Sequence, residues 1–294
     1  MLRGRRREDS AVSERTINTD GLLGLARDAA AAAGELLLER GSRPEVVATK
    51  SSPTDVVTDA DRAAEELIRE QIGAARPGDR LLGEEGGESI VGPGVPGAHS
   101  DVRWIVDPLD GTVNYLYGRP DWAVSIAAET CGQVVAGVVF VPRRGEMFTA
   151  TSGGGAWLAV TGLPGSGAAR LACNTGVPLD QALVATGFGY SAGRRLIQGE
   201  VLSQVMPRVR DIRRGGSAAI DLCAVASGTV DAYYERGVNL WDIAAGALIA
   251  TEAGAQVTGL NGQPPGPSMT LAAAPGLLRE LHDLLAGTNP ERDA

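Results

Sequence analysis

Two aspartates three positions apart follow directly on an apolar segment in the middle of the chain. The apolar residues Trp104–Val106 lead into Asp107, Pro108, Leu109, Asp110, Gly111 and Thr112. Proline restricts the backbone and glycine permits a sharp turn, so both carboxylates can point at one place at the end of a strand. Converging carboxylates repel each other, and a hard cation such as Mg²⁺ removes that repulsion. Turns of this composition also occur without a ligand, so the local spacing leaves a metal site and a plain Asx-rich turn both open.

Two more acidic positions lie far from this segment in the sequence. Glu84 and Glu85 stand in a glycine-flanked turn after the apolar pair Leu81-Leu82. Asp242 follows Trp241 at the start of an apolar stretch typical of a helix, whose first N–H groups favour negative charge. Taken alone, Glu84 is equally consistent with a solvated side chain, and Asp242 with an ordinary N-cap.

The remaining composition narrows the possible chemistry. The 294 residues contain two histidines, His99 and His282, and neither has a neighbour suited to a catalytic triad. A histidine base, a phosphohistidine and a His-rich zinc site are therefore disfavoured, and both histidines are expected to be surface or packing residues. The net charge of −9 argues against a general nucleic-acid binder. An anionic substrate would need cations or backbone N–H groups at its site.

The N-terminal segment and the cysteines predict the cellular location of the protein. Four arginines within the first seven residues are followed by acidic residues where an export signal needs an apolar segment. We expect residues 1–18 to be a disordered basic tail, with an arm that contacts nucleic acid or an acidic partner as the alternative. Cys131, Cys173 and Cys223 fit neither a disulfide framework nor a metal motif, so we expect reduced core residues in a cytoplasmic protein. No apolar run approaches the roughly 18 residues of a membrane span.

Apolar periodicity predicts how the acidic positions are held. Helical spacing predicts one helix over 20–40 and a second that starts at Thr58, with Asp61 in its first turn as part of a capping box. Short β-rich runs fill residues 80–141. The three glycines from Gly153 are expected to form a hairpin turn and not a phosphate loop, because neither a lysine nor a helix follows them.

The second half of the chain has a different pattern of predicted secondary structure. From residue 183 onward, extended and helical segments alternate, which favours an α/β arrangement. We therefore expect an α+β domain over 19–162 that carries the acidic segment and an α/β domain over 163–294. The Gly- and Pro-rich residues 163–169 are the expected seam.

The acidic motifs, taken together, resemble a known signature. In chain order they are Lys50–Asp55, Thr58, Asp61, Gly83-Glu84-Glu85, Trp104–Thr112, Gly216–Ala219, Asp231–Glu235 and Trp241-Asp242. This set resembles the inositol monophosphatase family, in particular the bacterial inositol-1-monophosphatase type. The long acidic element combined with the distant Trp-Asp pair is specific, whereas either alone is not. The resemblance implies a layered αβαβα sandwich of the sugar-phosphatase type, with two sheets between helix layers.

The resemblance also implies roles for individual residues. The implied metal ligands are Glu84, Asp107, the carbonyl of Leu109, Asp110 and Asp242. The implied catalytic residues are Thr112, Asp61 and Glu84, and the implied substrate contacts are Asp110, Gly111, Thr112, Ala218, Glu235 and Asp242. In that arrangement two or three Mg²⁺ ions are bound, Asp107 bridges two of them, and Thr112 with Asp61 orients the attacking water.

The activity implied by the resemblance is Mg²⁺-dependent hydrolysis of inositol monophosphate by a lithium-sensitive homodimer. Histidinol phosphate, fructose bisphosphate and the 3′-phosphate of phosphoadenosine are alternative substrates within the same fold. A different class of hypothesis is a non-enzymatic regulatory or binding protein that retains the fold. The basic residues between Arg194 and Arg214 are consistent with a dimer interface, with positive potential at the site, or with a solvated helix face.

Overall fold

The computed structural model describes residues 18–41, 46–49, 56–93, 100–161 and 167–292. The α-helices of these residues are α1 (Thr19–Arg40), α2 (Asp59–Ala75), α3 (Thr112–Leu116), α4 (Ala192–Val205), α5 (Ala218–Ala226), α6 (Leu240–Glu252) and α7 (Pro275–Ala286). The strands are β1 (Val46–Thr49), β2 (Val56–Thr58), β3 (Arg80–Gly83), β4 (Gly87–Ile90), β5 (Val102–Asp110), β6 (Ala123–Thr130), β7 (Gln133–Val141), β8 (Glu146–Thr151), β9 (Gly155–Val160), β10 (Ala169–Arg170), β11 (Leu183–Thr186), β12 (Asp211–Arg213), β13 (Ala232–Glu235), β14 (Gln256–Thr258) and β15 (Thr270–Ala273).

Two large sheets organise these elements. The first has eight strands in the order β10-β9-β8-β7-β6-β5-β3-β4, and the second has five in the order β12-β11-β13-β15-β14. Neighbouring strands of the first sheet are antiparallel except β3 and β5, which are parallel. In the second sheet β11 is parallel to β12 and β13, while β15 is antiparallel to both of its neighbours. A separate β1-β2 pair precedes α2.

Both faces of the central strands of each large sheet are buried, because helices cover them in layers. Along β5, Trp104 and Val106 pack into the core beneath α1 and α2, whereas Ile105 packs into the core that α5 and α6 fill. In β13, Tyr233 contributes to this central core, and Tyr234 to the core beneath α4 and α7. Alternation between two apolar layers explains the continuous apolar runs of these strands. The expected αβαβα sandwich is confirmed.

Close packing of the central helix layer depends on small residues. A Cβ atom at Gly137 on β7 would stand 3.1 Å from the backbone of Ala245 on α6, and one at Gly246 would stand 2.9 Å from the side chain of Leu222 on α5. The glycine turn between β8 and β9 forms a hairpin, as expected. The N–H groups of Gly153 and Gly155 donate to the carboxylate of Glu252 on α6 at 2.7 and 2.8 Å, so this turn binds a side chain of the protein itself.

Two expectations about local structure need correction. The acidic segment is not a free turn, since β5 continues through it and pairs Asp107 with Ser125 and Asp110 with Ala123 across a local irregularity. Pro108 has no N–H to give to the ladder, which is consistent with a bulge at this point. Cys131 is exposed, because Thr130 pairs with Gln133 and leaves Cys131 at the tip of a two-residue hairpin with a φ of 51°. Cys173 and Cys223 are buried, as expected.

Several sequence expectations fall outside the described residues. These are the basic tail up to residue 17, the match over Lys50–Asp55, His99 and part of the expected seam. The division into domains at residues 162 and 163 therefore stays a prediction. Within the described ranges, none of the helices combines the length and apolar character that a membrane crossing requires.

The contact between α1 and the first sheet provides a test of the packing. A Cβ atom at Gly34 would stand 2.5 Å from the ring of Phe140 on β7, whereas one at Gly24 of the same helix meets nothing within 4 Å. We expect Gly34→Ala to lower the free energy of unfolding by about 1–3 kcal/mol through overpacking. Gly24→Ala should raise it by about 0.5–1 kcal/mol, because alanine is the better helix former. Urea denaturation of both variants measures the difference, and equal effects at the two positions would contradict this packing.

Candidate active site

Parallel pairing of β3 and β5 brings the first two acidic positions together. Gly83 is in register with Val106, and the N–H of Glu84 donates to the carbonyl of Val106 at 3.2 Å. Glu84 therefore follows the end of β3 directly beside Asp107 in β5. Asp107 is 2 % exposed, and its Oδ1 accepts the N–H of Leu109 at 2.9 Å, which fixes the carboxylate against the bulge.

Asp110 joins the end of β5 to the start of α5. Its Oδ2 accepts the hydroxyl of Ser217 at 2.6 Å and the N–H of Ala219 at 2.7 Å. The Ser217 hydroxyl also accepts the N–H of Ile220, so one serine caps the helix and contacts the aspartate. A carboxylate at this end of α5 is favoured by the unpaired N–H groups of the first turn.

Asp242 lies in the first turn of α6. The N-cap of this helix is Asn239, and Asp242 occupies the third helical position of a capping box, so the reading of Asp242 as an ordinary N-cap is wrong. Asp242 Oδ2 accepts the N–H of Asn239 at 2.6 Å. This bond fixes the carboxylate at the helix start.

Thr112 and Asp61 form a hydrogen-bonded pair behind the acidic cluster. Gly111 has a φ of 96°, and a Cβ atom there would stand 2.9 Å from the carbonyl of Asp121, so the chain needs glycine to turn from β5 into α3. Thr112 then places Oγ1 at 3.1 Å from Asp61 Oδ1. Asp61 is buried in the first turn of α2, where its other oxygen accepts both the N–H and the hydroxyl of Thr58. The expected capping box is confirmed.

A cavity of about 440 Å³ collects these side chains. Of the site residues expected from the sequence, all but Asp61 line it, namely Glu84, Asp107, Leu109, Asp110, Gly111, Thr112, Ala218, Glu235 and Asp242. Asp61 contacts the cavity indirectly, through Thr112. Glu235 ends β13 on another part of the wall, and its Oε2 accepts the hydroxyl of Tyr233 at 3.0 Å. The second half of the chain thus completes a cavity that the first half begins.

Burial and mutual repulsion perturb the acids of this cavity. Burial, followed by the charges of Glu84, Asp110 and Asp242, raises the pKa of Asp107 well above its ordinary value. Burial also raises the pKa of Asp110 to about 6, although the bonds from Ser217 and Ala219 oppose the rise. The pKa of Asp242 is raised well above normal by burial and then by Asp110 and Glu84. The three aspartates and Glu84 therefore form one coupled group of like charges.

The chain is similar in sequence to known proteins over most of its length. The inositol monophosphatase family model matches residues 18–293. The chain belongs to the inositol monophosphatase family. A protein of Mycobacterium leprae named inositol-1-monophosphatase is 48% identical over 235 residues, which are 79% of this chain and 78% of that protein. A protein of Escherichia coli named Nus factor SuhB is 38% identical over 243 residues, covering 82% of this chain and 86% of its own.

A solved structure of Mycobacterium tuberculosis SuhB has the same fold as this member of the inositol monophosphatase family. It superposes with a TM-score of 0.75 at 40% identity, over 93% of this chain and 99% of that one. Membership of the family, together with the inositol-1-monophosphatases among its relatives, makes the chain a phosphoric monoester hydrolase.

The donor set in the cavity of this inositol monophosphatase family member fits hard divalent cations. Four carboxylates and one strand-end carbonyl offer only oxygen, which Mg²⁺ prefers to nitrogen or sulfur. Their mutual repulsion persists although three arginines, Arg194, Arg214 and Arg236, also line the cavity. As they stand, no three acidic, histidine or cysteine side chains of the described residues form a group that could hold a metal ion. The acids nevertheless share one cavity.

The cavity wall contains two arginines for which the sequence left three roles open, and the adjoining helix α5 carries an acid that sequence reasoning missed. Arg194 and the exposed Arg214 line the cavity, whereas the remaining basic residues of this stretch are exposed and lie outside its lining, namely Arg195, Arg208, Arg210 and Arg213. Asp221 on α5 is 6 % exposed with an Oδ2 that has no hydrogen-bond partner, and burial and then Glu235 raise its pKa well above normal. The signal for Asp221 was a single acid inside the otherwise apolar helix α5.

The raised pKa values predict how the metal-free protein responds to pH. An unfolded aspartate titrates near about 3.9, whereas Asp110 titrates at about 6 in the folded chain. Between these values the folded state binds more protons, so the free energy of unfolding should fall as the pH rises across this interval and stay low above it. With a chelator present, Asp242→Asn removes one repelling charge but keeps the acceptor for Asn239, and should flatten the fall.

The control for this measurement is Asp28→Asn, a change at an exposed position of α1. The thermal midpoints of wild type and both variants are compared at pH 5 and pH 7.5. The expected result is a rise in midpoint for Asp242→Asn at pH 7.5 that is much smaller at pH 5, with no change for Asp28→Asn. Identical pH profiles for wild type and Asp242→Asn would show that these carboxylates do not repel each other.

Proposed function

We propose that the chain is a Mg²⁺-dependent phosphatase that hydrolyses inositol monophosphate to inositol and phosphate. The observation that carries the proposal is the convergence of Glu84, Asp107, Asp110 and Asp242 on one cavity with too little positive charge to balance them. Cations resolve this imbalance and at the same time create a place for a phosphate dianion. The 48% identity to an inositol-1-monophosphatase supports inositol monophosphate as the substrate.

Five residues would hold the metal. In the proposed arrangement Glu84, Asp107 and the carbonyl of Leu109 would hold one Mg²⁺, and Asp107, Asp110 and Asp242 would hold a second. The number of ions is two or three. When bound, Mg²⁺ supplies Lewis-acid activation of water and neutralises charge on the phosphoryl group. Asp107 lies within β5, beside the end of β3 that precedes Glu84 and three residues before Asp110, which supports its role as the shared ligand.

Thr112 and Asp61 orient the attacking water in this proposal. Asp61 Oδ1 accepts the hydroxyl proton of Thr112, which leaves the lone pairs of Thr112 Oγ1 to accept a hydrogen bond from water. A buried carboxylate bonded to Thr58 is a fixed acceptor, and the carbonyl of Leu109 is a second acceptor 3.2 Å from the same hydroxyl oxygen. The N–H groups of Gly111 and Thr112 at the start of α3 would donate to the phosphate oxygens.

Glu235 and the backbone at Ala218 are the proposed contacts for the alcohol part of the substrate. A carboxylate suits a polyhydroxylated group, because it accepts hydrogen bonds from hydroxyls. Burial raises the pKa of Glu235 to about 7, and the hydroxyl of Tyr233 partly opposes the rise. Arg194 and Arg214 on the same cavity wall favour the approach of an anionic ester.

A non-enzymatic role is the second candidate, and the E. coli relative named Nus factor SuhB favours it. Every acidic position that the proposed mechanism needs is nevertheless filled in this chain. A protein that had lost catalysis would be free to replace these repelling acids, because they destabilise the fold without metal. Hydrolysis is therefore the primary proposal.

The family relationship supports further proposals. We infer a homodimer, lithium sensitivity and a cytoplasmic location from the similarity to bacterial members. A small phosphorylated polyol is the proposed partner, with no role for a membrane. Binding of nucleic acid by the arginine-rich tail remains the weakest of these proposals, since the net charge of −9 opposes it.

Hydrolysis of a panel of phosphomonoesters tests the proposed function. We expect release of phosphate from inositol 1-phosphate to exceed that from histidinol phosphate, fructose bisphosphate and the 3′-phosphate of phosphoadenosine, and to require Mg²⁺. Asp107→Asn should lower kcat/KM by roughly a thousandfold or more, because it removes several kcal/mol of metal-based stabilisation. The assay measures free phosphate at equal enzyme concentrations.

Circular dichroism of Asp107→Asn serves as the folding control for this panel. Preference for histidinol phosphate would contradict the assignment of inositol monophosphate as the substrate. Unchanged hydrolysis by a folded Asp107→Asn would contradict the metal-based mechanism. Absence of hydrolysis in wild type with Mg²⁺ would favour the binding role.

Glu235→Gln separates recognition of the polyol from the chemical step. Glutamine keeps the size of the side chain and an acceptor for Tyr233, but removes the charge that attracts hydroxyl donors. KM for inositol 1-phosphate should rise about tenfold, which corresponds to one charge-assisted hydrogen bond. KM for 4-nitrophenyl phosphate should stay unchanged, because that ester carries no hydroxyls. Equal changes for both esters would mean that Glu235 does not contact the polyol.

A further inference from the structure

The turn that carries Glu84 is held by a buried carboxylate from a different element. This turn, residues 84–86, joins β3 to β4, whose register closes with Gly83 opposite Gly87. Glu65 on α2 is 3 % exposed and reaches the turn with both of its oxygens. Its Oε2 accepts the N–H of Glu85 at 2.8 Å, and its Oε1 accepts the N–H of Gly86 at 2.9 Å.

Three consecutive N–H groups of the turn are therefore fixed from two sides. The N–H of Glu84 donates to the carbonyl of Val106 on β5, and the next two donate to Glu65 on α2. Hydrogen bonds to a charged acceptor in a buried setting are stronger than those between neutral groups. The backbone on both sides of the Glu84 side chain has little freedom as a result.

Arg69 extends the attachment across the hairpin. One helical turn beyond Glu65, its Nε and Nη2 donate to Glu65 Oε1 at 3.0 and 2.8 Å. The same guanidinium donates to the carbonyl of Gly87 at 3.0 Å and to the hydroxyl of Ser89. The ion pair neutralises the buried Glu65 and connects α2 to both the turn and the strand after it.

The contact of Glu65 explains two glycines of the turn. A Cβ atom at Gly83 would stand 2.5 Å from the Glu65 carboxyl group, and one at Gly86 would stand 2.7 Å from its Oε1. Neither glycine has a positive φ, so close approach to the carboxylate is the reason for glycine at both positions. The Gly-Glu-Glu-Gly sequence and Glu65 are thus packed directly against each other, although Gly83 lies 18 positions after Glu65 in the chain.

We propose that Glu65, together with Arg69, is a positioning residue that holds the Glu84 carboxylate in place for metal binding. This inference rests on the proposed function of Glu84 as a metal ligand. Asp61, which contacts Thr112, lies one helical turn before Glu65 on α2. A single helix therefore sets the position of the Thr112 hydroxyl and of the Glu84 turn.

Glu65→Gln and Gly86→Ala test the proposal in two independent ways. Glutamine keeps the shape of Glu65 but removes its charge, so the two N–H groups lose their charged acceptor. Alanine at the exposed Gly86 leaves Glu65 intact and pushes the turn away from it, which keeps the test valid if Glu65→Gln folds poorly. The matched control is Glu66→Gln, the same change at the next and exposed position of α2.

Three quantities are measured on each protein. These are the dissociation constant of Mg²⁺ by calorimetry, kcat at saturating Mg²⁺, and hydrogen exchange of the 84–86 amides in the metal-free protein. We expect Glu65→Gln and Gly86→Ala to weaken Mg²⁺ binding about 10–100-fold, as for other residues that orient metal ligands, and to speed amide exchange in the turn. Their kcat at saturating Mg²⁺ should stay close to that of wild type, and Glu66→Gln should match wild type in all three.

The outcomes separate this inference from the proposed function. Unchanged Mg²⁺ affinity in a folded Glu65→Gln and in Gly86→Ala, with or without faster exchange, would show that Glu65 is merely structural and would overturn the inference. Wild type that binds no Mg²⁺ would instead overturn the proposed function. Faster exchange combined with weaker Mg²⁺ binding in both variants would support the positioning role.

Discussion

The mutual repulsion of buried carboxylates at the ends of β3 and β5 is the constraint on which the rest of the site depends. Asp107, Asp110 and Asp242 have raised pKa values because burial denies them water and each acid faces the charge of others. A fold can keep such a group only if the backbone around it is fixed by many other contacts. The architecture of this chain supplies those contacts from several layers at once.

Each acid is held by a different kind of contact. Asp107 accepts a backbone N–H inside its own strand, Asp110 accepts from the first turn of α5, and Asp242 closes a capping box in α6. These anchors use N–H groups that helix starts and a bulge leave without a ladder partner. Because α5 and α6 form the central layer between the two sheets, the cavity lies where the two halves of the chain meet.

Agreement between the sequence expectations and the structure is closest where the signal is local. The capping box of Thr58 and Asp61 and the apolar strand segment Trp104–Val106 follow from apolar spacing and from the chemistry of helix starts. The αβαβα layers were implied by the family resemblance, and the two sheets with their helix layers confirm them. Expectations that depended on three-dimensional surroundings were less accurate. Cys131 is exposed because hairpin register places it at a tip, and Asp110 contacts α5 through bonds that span 107 and 109 residues.

The sequence by itself determined the elements, the order of the acidic motifs and the family to which they belong. The elements and each single motif depend on residue types at short spacing, which fixes local backbone geometry. The family resemblance depends on distant motifs that occur together in one order. Only the tertiary structure decided which acids share a cavity, how strongly they repel, and that Glu65 on α2 holds the turn of Glu84. The reason is that burial and charge interactions depend on distances through space, which parallel strand pairing and helix packing set between residues remote in sequence.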